Sequence, residues 1–168
     1  MRLDIIGSVA SGKTTLAAHL SAQYQIPYYE KDNIVWMRTP SGDVRRSEEE
    51  REQLFAKILA QTDWIVEGSP RKILRESFDC CDYIILLDVP TIIRLYRAVK
   101  RWCRQRLGKE TYNHPPTWDF LKWNIRWVLE YTRERTELIH KLSAYGRKYQ
   151  CFRNSRQAEA FIKSVYGK

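Results

Sequence analysis

Gly7-Ser8-Val9-Ala10-Ser11-Gly12-Lys13-Thr14 decides how the rest of this chain is read. It spells G-x-x-x-x-G-K-[ST], between a short apolar run at residues 3–6 and a helical pattern at 14–24. The two glycines let the backbone curl so that successive amides point inward at an anion. The helix that follows adds the partial positive charge of its N-terminus. In such a loop a lysine reaches the β- and γ-phosphates of a nucleotide, and a hydroxyl at the next position suits Mg²⁺. Gly7, Ser8, Ala10, Ser11, Gly12, Lys13, Thr14 and Thr15 are therefore the candidate nucleotide-binding residues, with ATP and Mg²⁺ as the cofactors.

Outward from the loop, short apolar runs alternate with longer helical patterns. Strands are expected at 3–6, 26–29, 64–66, 83–87 and 149–152. Helices are expected at 14–24, 91–107, 117–143 (one long helix or a kinked pair) and after the last strand. A further helix starts at Ser47, where Glu50 three residues on makes a capping box. A polar stretch with Pro40 and Gly42 precedes it, and 108–116 reads as a loop. Strands alternating with helices imply a parallel sheet covered on both faces. The 168 residues suit a single domain, 1–168, with no repeat or linker.

A net charge of +9 favours anionic partners: phosphates, nucleotides or nucleic acid. No apolar run approaches the ~18 residues of a membrane span, so no membrane partner is expected. The first residues place an acid and a loop where a signal peptide has its apolar core. Cys80, Cys81, Cys103 and Cys151 form no C-x-x-C pair, which excludes a zinc or redox motif of that kind and suits reduced thiols in the cytoplasm. His19, His114 and His140 stand apart and make no metal set.

Three further segments resemble the nucleoside monophosphate kinase branch of P-loop proteins. Trp64-Ile65-Val66-Glu67-Gly68-Ser69-Pro70-Arg71 is similar to the adenylate-kinase element in which an apolar strand ends in acid–Gly–x–Pro–Arg. Leu86-Leu87-Asp88-Val89-Pro90 is similar to that family's next strand, and Arg97 and Arg101 match its lid arginines by spacing. A closer resemblance is to the small bacterial kinase-like group named DNA topology modulation protein. It rests on Asp32 followed by Trp36, on Trp64–Gly68, and on the tryptophan-rich Trp118-Asp119-Phe120-Leu121-Lys122-Trp123. The chain departs from the adenylate kinase pattern in carrying Glu67 for Asp. Ser41-Gly42-Asp43-Val44-Arg45-Arg46 spells that family's [ST]-G-D-x-x-R element, but too far from the phosphate loop. No N-K-x-D motif is present, which disfavours a GTPase.

The resemblance implies a three-layer α/β/α P-loop NTPase fold. Its five-stranded parallel sheet has the order 2-3-1-4-5, and a small helical lid covers about 101–135. It also implies roles for single residues. Glu67 is the candidate Mg²⁺ partner beside Thr14, with Asp88 competing for that place. Asp32 is the candidate base or acceptor ligand, and Arg71 the candidate acceptor grip, since a guanidinium holds a carboxylate or phosphate bidentately. Arg97 and Arg101 are candidate catalytic arginines, with Arg94, Arg104, Arg133 and Arg135 as weaker ones. Asn154 and Ser155 are placed to meet the adenine through backbone groups.

Arg94, Arg97, Arg101 and Arg104 share one helix face by their 3-4-3 spacing. Ile92, Leu95, Val99 and Trp102 share nearly the opposite one, which is expected to pack on the sheet. Trp118, Trp123 and Trp127 are expected to serve core or lid packing. Together these readings predict ATP-dependent phosphoryl transfer to a small acceptor, a nucleotide or nucleoside among the options. The alternatives are a nucleic-acid-binding ATP switch using the basic surface and a regulatory ATPase.

Overall fold

The computed structural model describes residues 1–39, 42–112 and 114–167. The chain runs β1 (Arg2–Gly7), α1 (Lys13–Tyr24), β2 (Tyr28–Glu30), α2 (Lys31–Val35), β3 (Trp36–Thr39), β4 (Gly42–Arg45) and α3 (Glu48–Leu59). It continues with β5 (Trp64–Gly68), α4 (Glu76–Cys80), β6 (Tyr83–Leu87), α5 (Thr91–Arg106), α6 (Trp118–Ser143), β7 (Tyr149–Phe152) and α7 (Ser155–Tyr166). Five strands form one parallel sheet in the order β2-β5-β1-β6-β7. Counted over those five alone, this is the expected 2-3-1-4-5.

The two-residue period of the strands sorts their side chains between two cores. Leu3 and Ile5 of β1, Ile65 of β5, and Ile85 and Leu87 of β6 pack with Leu16, Leu20, Ala158 and Ile162, so α1 and α7 cover one face. Ile6, Val66, Ile84 and Leu86 pack with Ile34, Phe55, Ile58, Phe78 and Leu142, so α2, α3, α4 and the end of α6 cover the other. The carboxyl ends of β1, β5 and β2 thus come side by side at one edge, where Gly7, Glu67 and Glu30 lie.

The capping box is present. Ser47 Oγ accepts from the Glu50 amide at 3.1 Å, and Glu50 returns a carboxylate to the Ser47 amide at 3.0 Å. Ser47→Ala should therefore cost about 1 kcal/mol, measurable by urea melting. Thr117 caps α6 by accepting from the Phe120 amide at 3.1 Å, and α6 is one continuous helix.

Three expectations need correction. The connection between β2 and α3 is not a plain polar stretch: α2 and the antiparallel β3–β4 hairpin fill it. Pro40 and Ser41 lie outside the described residues, so the Ser41–Arg46 element is seen only from Gly42, within β4. Of the two places expected for Trp118, Trp123 and Trp127, the core is ruled out, because all three are exposed; they meet Trp102, Phe120 and one another instead. The third correction is larger: α5 is rotated part of a turn from the reading of its stripes, so that Arg97 and Arg104 are exposed as expected and Leu95 and Trp102 are half-buried, but Arg94 lies inside and Ile92 and Val99 lie outside. Arg94 is 1% exposed and Ala98 is buried, while Ile92 is 74% exposed and Tyr96 63%.

The cause is that Arg94 meets all its needs inside. Its guanidinium donates to the Val89 carbonyl at 2.8 Å, the Val128 carbonyl at 3.3 Å, and the Thr91 and Thr132 hydroxyls at 2.9 Å each. It also lies over the Tyr131 ring. A buried charge so completely bonded is tolerated, and it bolts α5 to α6.

Candidate active site

The loop between β1 and α1 wraps tightly. A Cβ on Gly7 (φ +157°) would meet the Leu87 carbonyl oxygen at 2.8 Å and Ser11 Oγ at 2.9 Å, so the residue here has to be glycine. The Ser8 and Ser11 hydroxyls are buried without a hydrogen-bond partner among the described residues. Buried hydroxyls normally find partners, and an anion seated in the loop would supply them. Lys13 Nζ donates to the Ser8 carbonyl at 2.9 Å, and desolvation pulls its pKa down. The charges of Glu67 and Asp32 oppose that shift and Arg101 adds to it, so all four groups share one field.

Thr14 Oγ1 donates to Glu67 Oε1 at 2.7 Å. Glu67 is the last residue but one of β5 and is buried. Desolvation raises its pKa, Lys13 and the Thr14 bond pull it back, and Glu30 and Asp32 push it up further. Among the described residues no three His, Cys, Asp or Glu side chains could cage a metal. The hydroxyl–carboxylate pair beside a phosphate cradle fits Mg²⁺ in its usual sparse mode, with few protein oxygens and the rest from water and phosphate.

Asp32 sits one residue into α2 and is ion-paired with Arg71 at 2.6 Å; Arg71 Nε is buried and unpartnered. On the other side, Arg97 Nη1 reaches the Ser11 carbonyl at 3.2 Å, and Arg101 Nη2 reaches Asn124 Oδ1 at 3.3 Å. The structure therefore gathers Lys13, Thr14, Glu67, Asp32, Arg71, Arg97 and Arg101 around one loop.

Four of the remaining candidates are engaged elsewhere, and Arg133 is exposed on α6. Asp88 and Arg135 hold each other bidentately at 2.7 and 2.5 Å, and Arg104 pairs with Glu110 at 3.1 Å. Asn154 caps α7: its side-chain oxygen accepts from the Gln157 amide at 3.0 Å and its carbonyl from the Ala158 amide at 3.5 Å.

Two supports of the site escaped the sequence reading. Lys31, fully buried, crosses from the end of β2 to Asp4 of β1 and donates to both carboxylate oxygens at 2.7 and 2.8 Å. Ser77 Oγ also donates to Asp4, and the Lys31 ammonium lies over the Phe78 ring. Burial raises the Asp4 pKa, against the pull of Lys31 and Ser77. The signal was an acid inside an apolar strand, which needs a buried partner. The second support is Asn124. It is a polar residue in the buried stripe Leu121–Asn124–Val128, where it aims Arg101 while its own amide donates to the Phe120 carbonyl at 2.7 Å.

The Lys31 stem also dictates Gly68, whose Cβ would stand 2.7 Å from Lys31 Cβ. Gly68→Ala should cost about 1–3 kcal/mol by overpacking, read as a lower melting temperature.

Comparison with known proteins adds the fold. No family model matches the chain, and no curated protein matches it. Among solved structures, a shikimate kinase from Bacteroides thetaiotaomicron is similar, with a TM-score of 0.55 at 12% identity, over 98% of this chain and 96% of that one. The architecture shared is an α/β fold built on a five-stranded parallel sheet with helices on both faces; at this identity the likeness is one of fold alone.

Proposed function

We propose that the chain is an ATP- and Mg²⁺-dependent kinase acting on a small acceptor, a nucleotide or nucleoside among the options. The observation that carries this reading is the hydrogen-bonded pair Thr14–Glu67 beside Lys13, with an Asp32–Arg71 pair facing them from the next strand end. Ligands in open α/β sheets bind outside the carboxyl ends of the strands, where these groups stand. Residues 7–15 hold the phosphates, and Lys13 lies against the β- and γ-groups. Thr14 and Glu67 would hold Mg²⁺, whose contribution is to neutralise charge on the phosphate oxygens. Asp32 accepts a hydrogen bond or proton from the acceptor hydroxyl, and Arg71 grips an anionic part of the acceptor. Arg97 and Arg101 stabilise charge on the transferred group. To do so, Arg97 exchanges the Ser11 carbonyl for phosphate oxygen.

The test is ADP release from the whole protein across nucleoside monophosphates, nucleosides, sugars and small acids. One chemical class should stimulate release strongly. Equal release with every acceptor would make the chain an ATPase and overturn the reading.

The region about 101–135 acts in this reading as a lid. In the free protein the described residues of its loop make few side-chain polar contacts: Arg104 to Glu110, Gln105 to the Thr111 carbonyl, Trp102 to the Thr117 carbonyl, and His114 to Asp43 of the β3–β4 hairpin at 3.4 Å. Segment 104–117 should exchange amide hydrogens fastest in the free protein and become protected only when an ATP analogue and the acceptor are both bound. Equal protection in free, singly bound and doubly bound states would remove the lid.

A further inference from the structure

An apolar row of α5 faces away from the protein. Ile92, Tyr96, Val99 and Cys103 recur at four-, three- and four-residue spacing, all exposed, and Leu107, 68% exposed, extends the line past the helix end. A surface helix ordinarily turns such a stripe inward. Here Arg94 occupies the inward side, and the stripe lies open along the whole helix. Its flanks are basic: α5 carries Lys100, Arg104 and Arg106 and no acid at all. Alongside, Trp118 of α6 stacks on Trp102 at 4.4 Å between ring centres, so the row Trp118–Lys122–Ile125–Leu129 starts next to α5. The acids around these rows are already matched, Asp119 to Lys122, Glu130 to Arg126 and Glu110 to Arg104. Lys100 and Arg106 make no ion pair among the described residues. The face is therefore apolar along its middle, basic at its rims, and aromatic at one end.

We propose that this face lies on an anionic lipid surface, with the α5 stripe in the headgroup boundary and Lys100 and Arg106 on lipid phosphates. Apolar residues flanked by cations on one exposed helix face suit a flat, anionic, amphipathic partner. Trp118 is a side chain of the kind that collects at the boundary between water and lipid. A second copy fits less well, because two α5 helices would oppose cation to cation with no acid between them. A single nucleic-acid strand fits less well too: Ile92, Val99 and Leu107 offer bases no flat face to stack on. The sequence expectation of no membrane partner came from the lack of a long apolar run. That criterion concerns spanning and is silent on a helix lying flat.

The experiment is flotation of the full chain with vesicles of phosphatidylcholine alone and of phosphatidylcholine mixed with phosphatidylglycerol. The protein should float only with the anionic vesicles, and less at high salt. An Ile92→Asn/Tyr96→Asn variant and a Lys100→Gln/Arg106→Gln variant should each partition about tenfold less. Both should show the circular dichroism and the cooperative thermal melting of the parent, which shows that they are folded. No flotation with anionic vesicles would overturn the proposal, as would flotation unchanged in both variants. A dimer in sedimentation that these substitutions dissolve would assign the face to a second copy instead. Binding of single-stranded DNA lost in the same variants would assign it to nucleic acid, and either result also overturns the lipid reading.

Discussion

Lys13→Ala should lower phosphoryl transfer by about a hundredfold to a thousandfold, while the variant melts at or above the temperature of the parent. The two halves of this expectation have one cause. In the free protein the Lys13 ammonium is desolvated, and its one hydrogen bond goes to the Ser8 carbonyl. That environment costs the charged form free energy, which is why its pKa falls. Removing the side chain therefore removes that bond and the charge that draws the Glu67 carboxyl back, but also relieves the desolvation of the ammonium, so the net change in stability is small. With a nucleotide present the balance reverses, because the same ammonium would face several phosphate oxygens and the charge that develops as the bond to the leaving phosphate breaks. A group that is mildly costly when empty and strongly favourable in the transition state is one whose worth is differential. Turnover and thermal melting should be measured on one preparation. A variant that turns over normally would remove the nucleotide role proposed for the loop, and one that fails to fold would show that Lys13 is structural.

The sheet was legible because its strands are short apolar runs cut by glycine and proline, and because one motif pinned the first strand–loop–helix unit. Glu67, Asp32 and Arg71 were legible as strand-end polar groups, since the fold class puts ligands at those ends. The orientation of α5 was not legible. Its sequence carries an apolar stripe and an arginine stripe on opposite faces, and pattern alone sends the apolar one inward. What decides against that is a set of acceptors scattered far along the chain, the carbonyls of Val89 and Val128 and the hydroxyl of Thr132, which only the fold brings around Arg94. The β3–β4 hairpin was hidden for a related reason: its strands, with Met37 and Val44 exposed, bury too little to show a period. Asn124 shows the converse. One polar residue in a buried helical stripe reads as a packing defect until Arg101 is seen above it.

The largest loss of stability should come from Lys31→Met, at about 3–5 kcal/mol. For a chain of this length that is a fall in melting temperature of roughly 6–20 °C. Asp4 and Lys31 are both 0% exposed and stand on the sheet face covered by α3 and α4. Methionine matches the lysine stem in shape, so the packing over Gly68 survives. What changes is that Asp4 keeps its place with only the Ser77 hydroxyl as a partner. A carboxylate in that setting either stays charged at high cost or takes up a proton, and both weaken the fold. Adding Asp4→Leu to Lys31→Met should restore most of the loss, because the interior then holds two apolar groups and no orphan charge. In the double variant the single Ser77 hydroxyl hydrogen turns to the Leu74 carbonyl, 2.9 Å away, so no unmet donor is left there. A Lys31→Met protein as stable as the parent would show that the pair is not holding the fold, and a double variant no better than the single one would do the same. The pair also bears on the proposed chemistry. Lys31 is the residue before Asp32, and its stem lies over Gly68, the residue after Glu67. One buried ion pair therefore fixes the two carboxylates between which the phosphoryl group would pass, and the restored double variant should still bind acceptor more weakly than the parent if that fixing matters to the site.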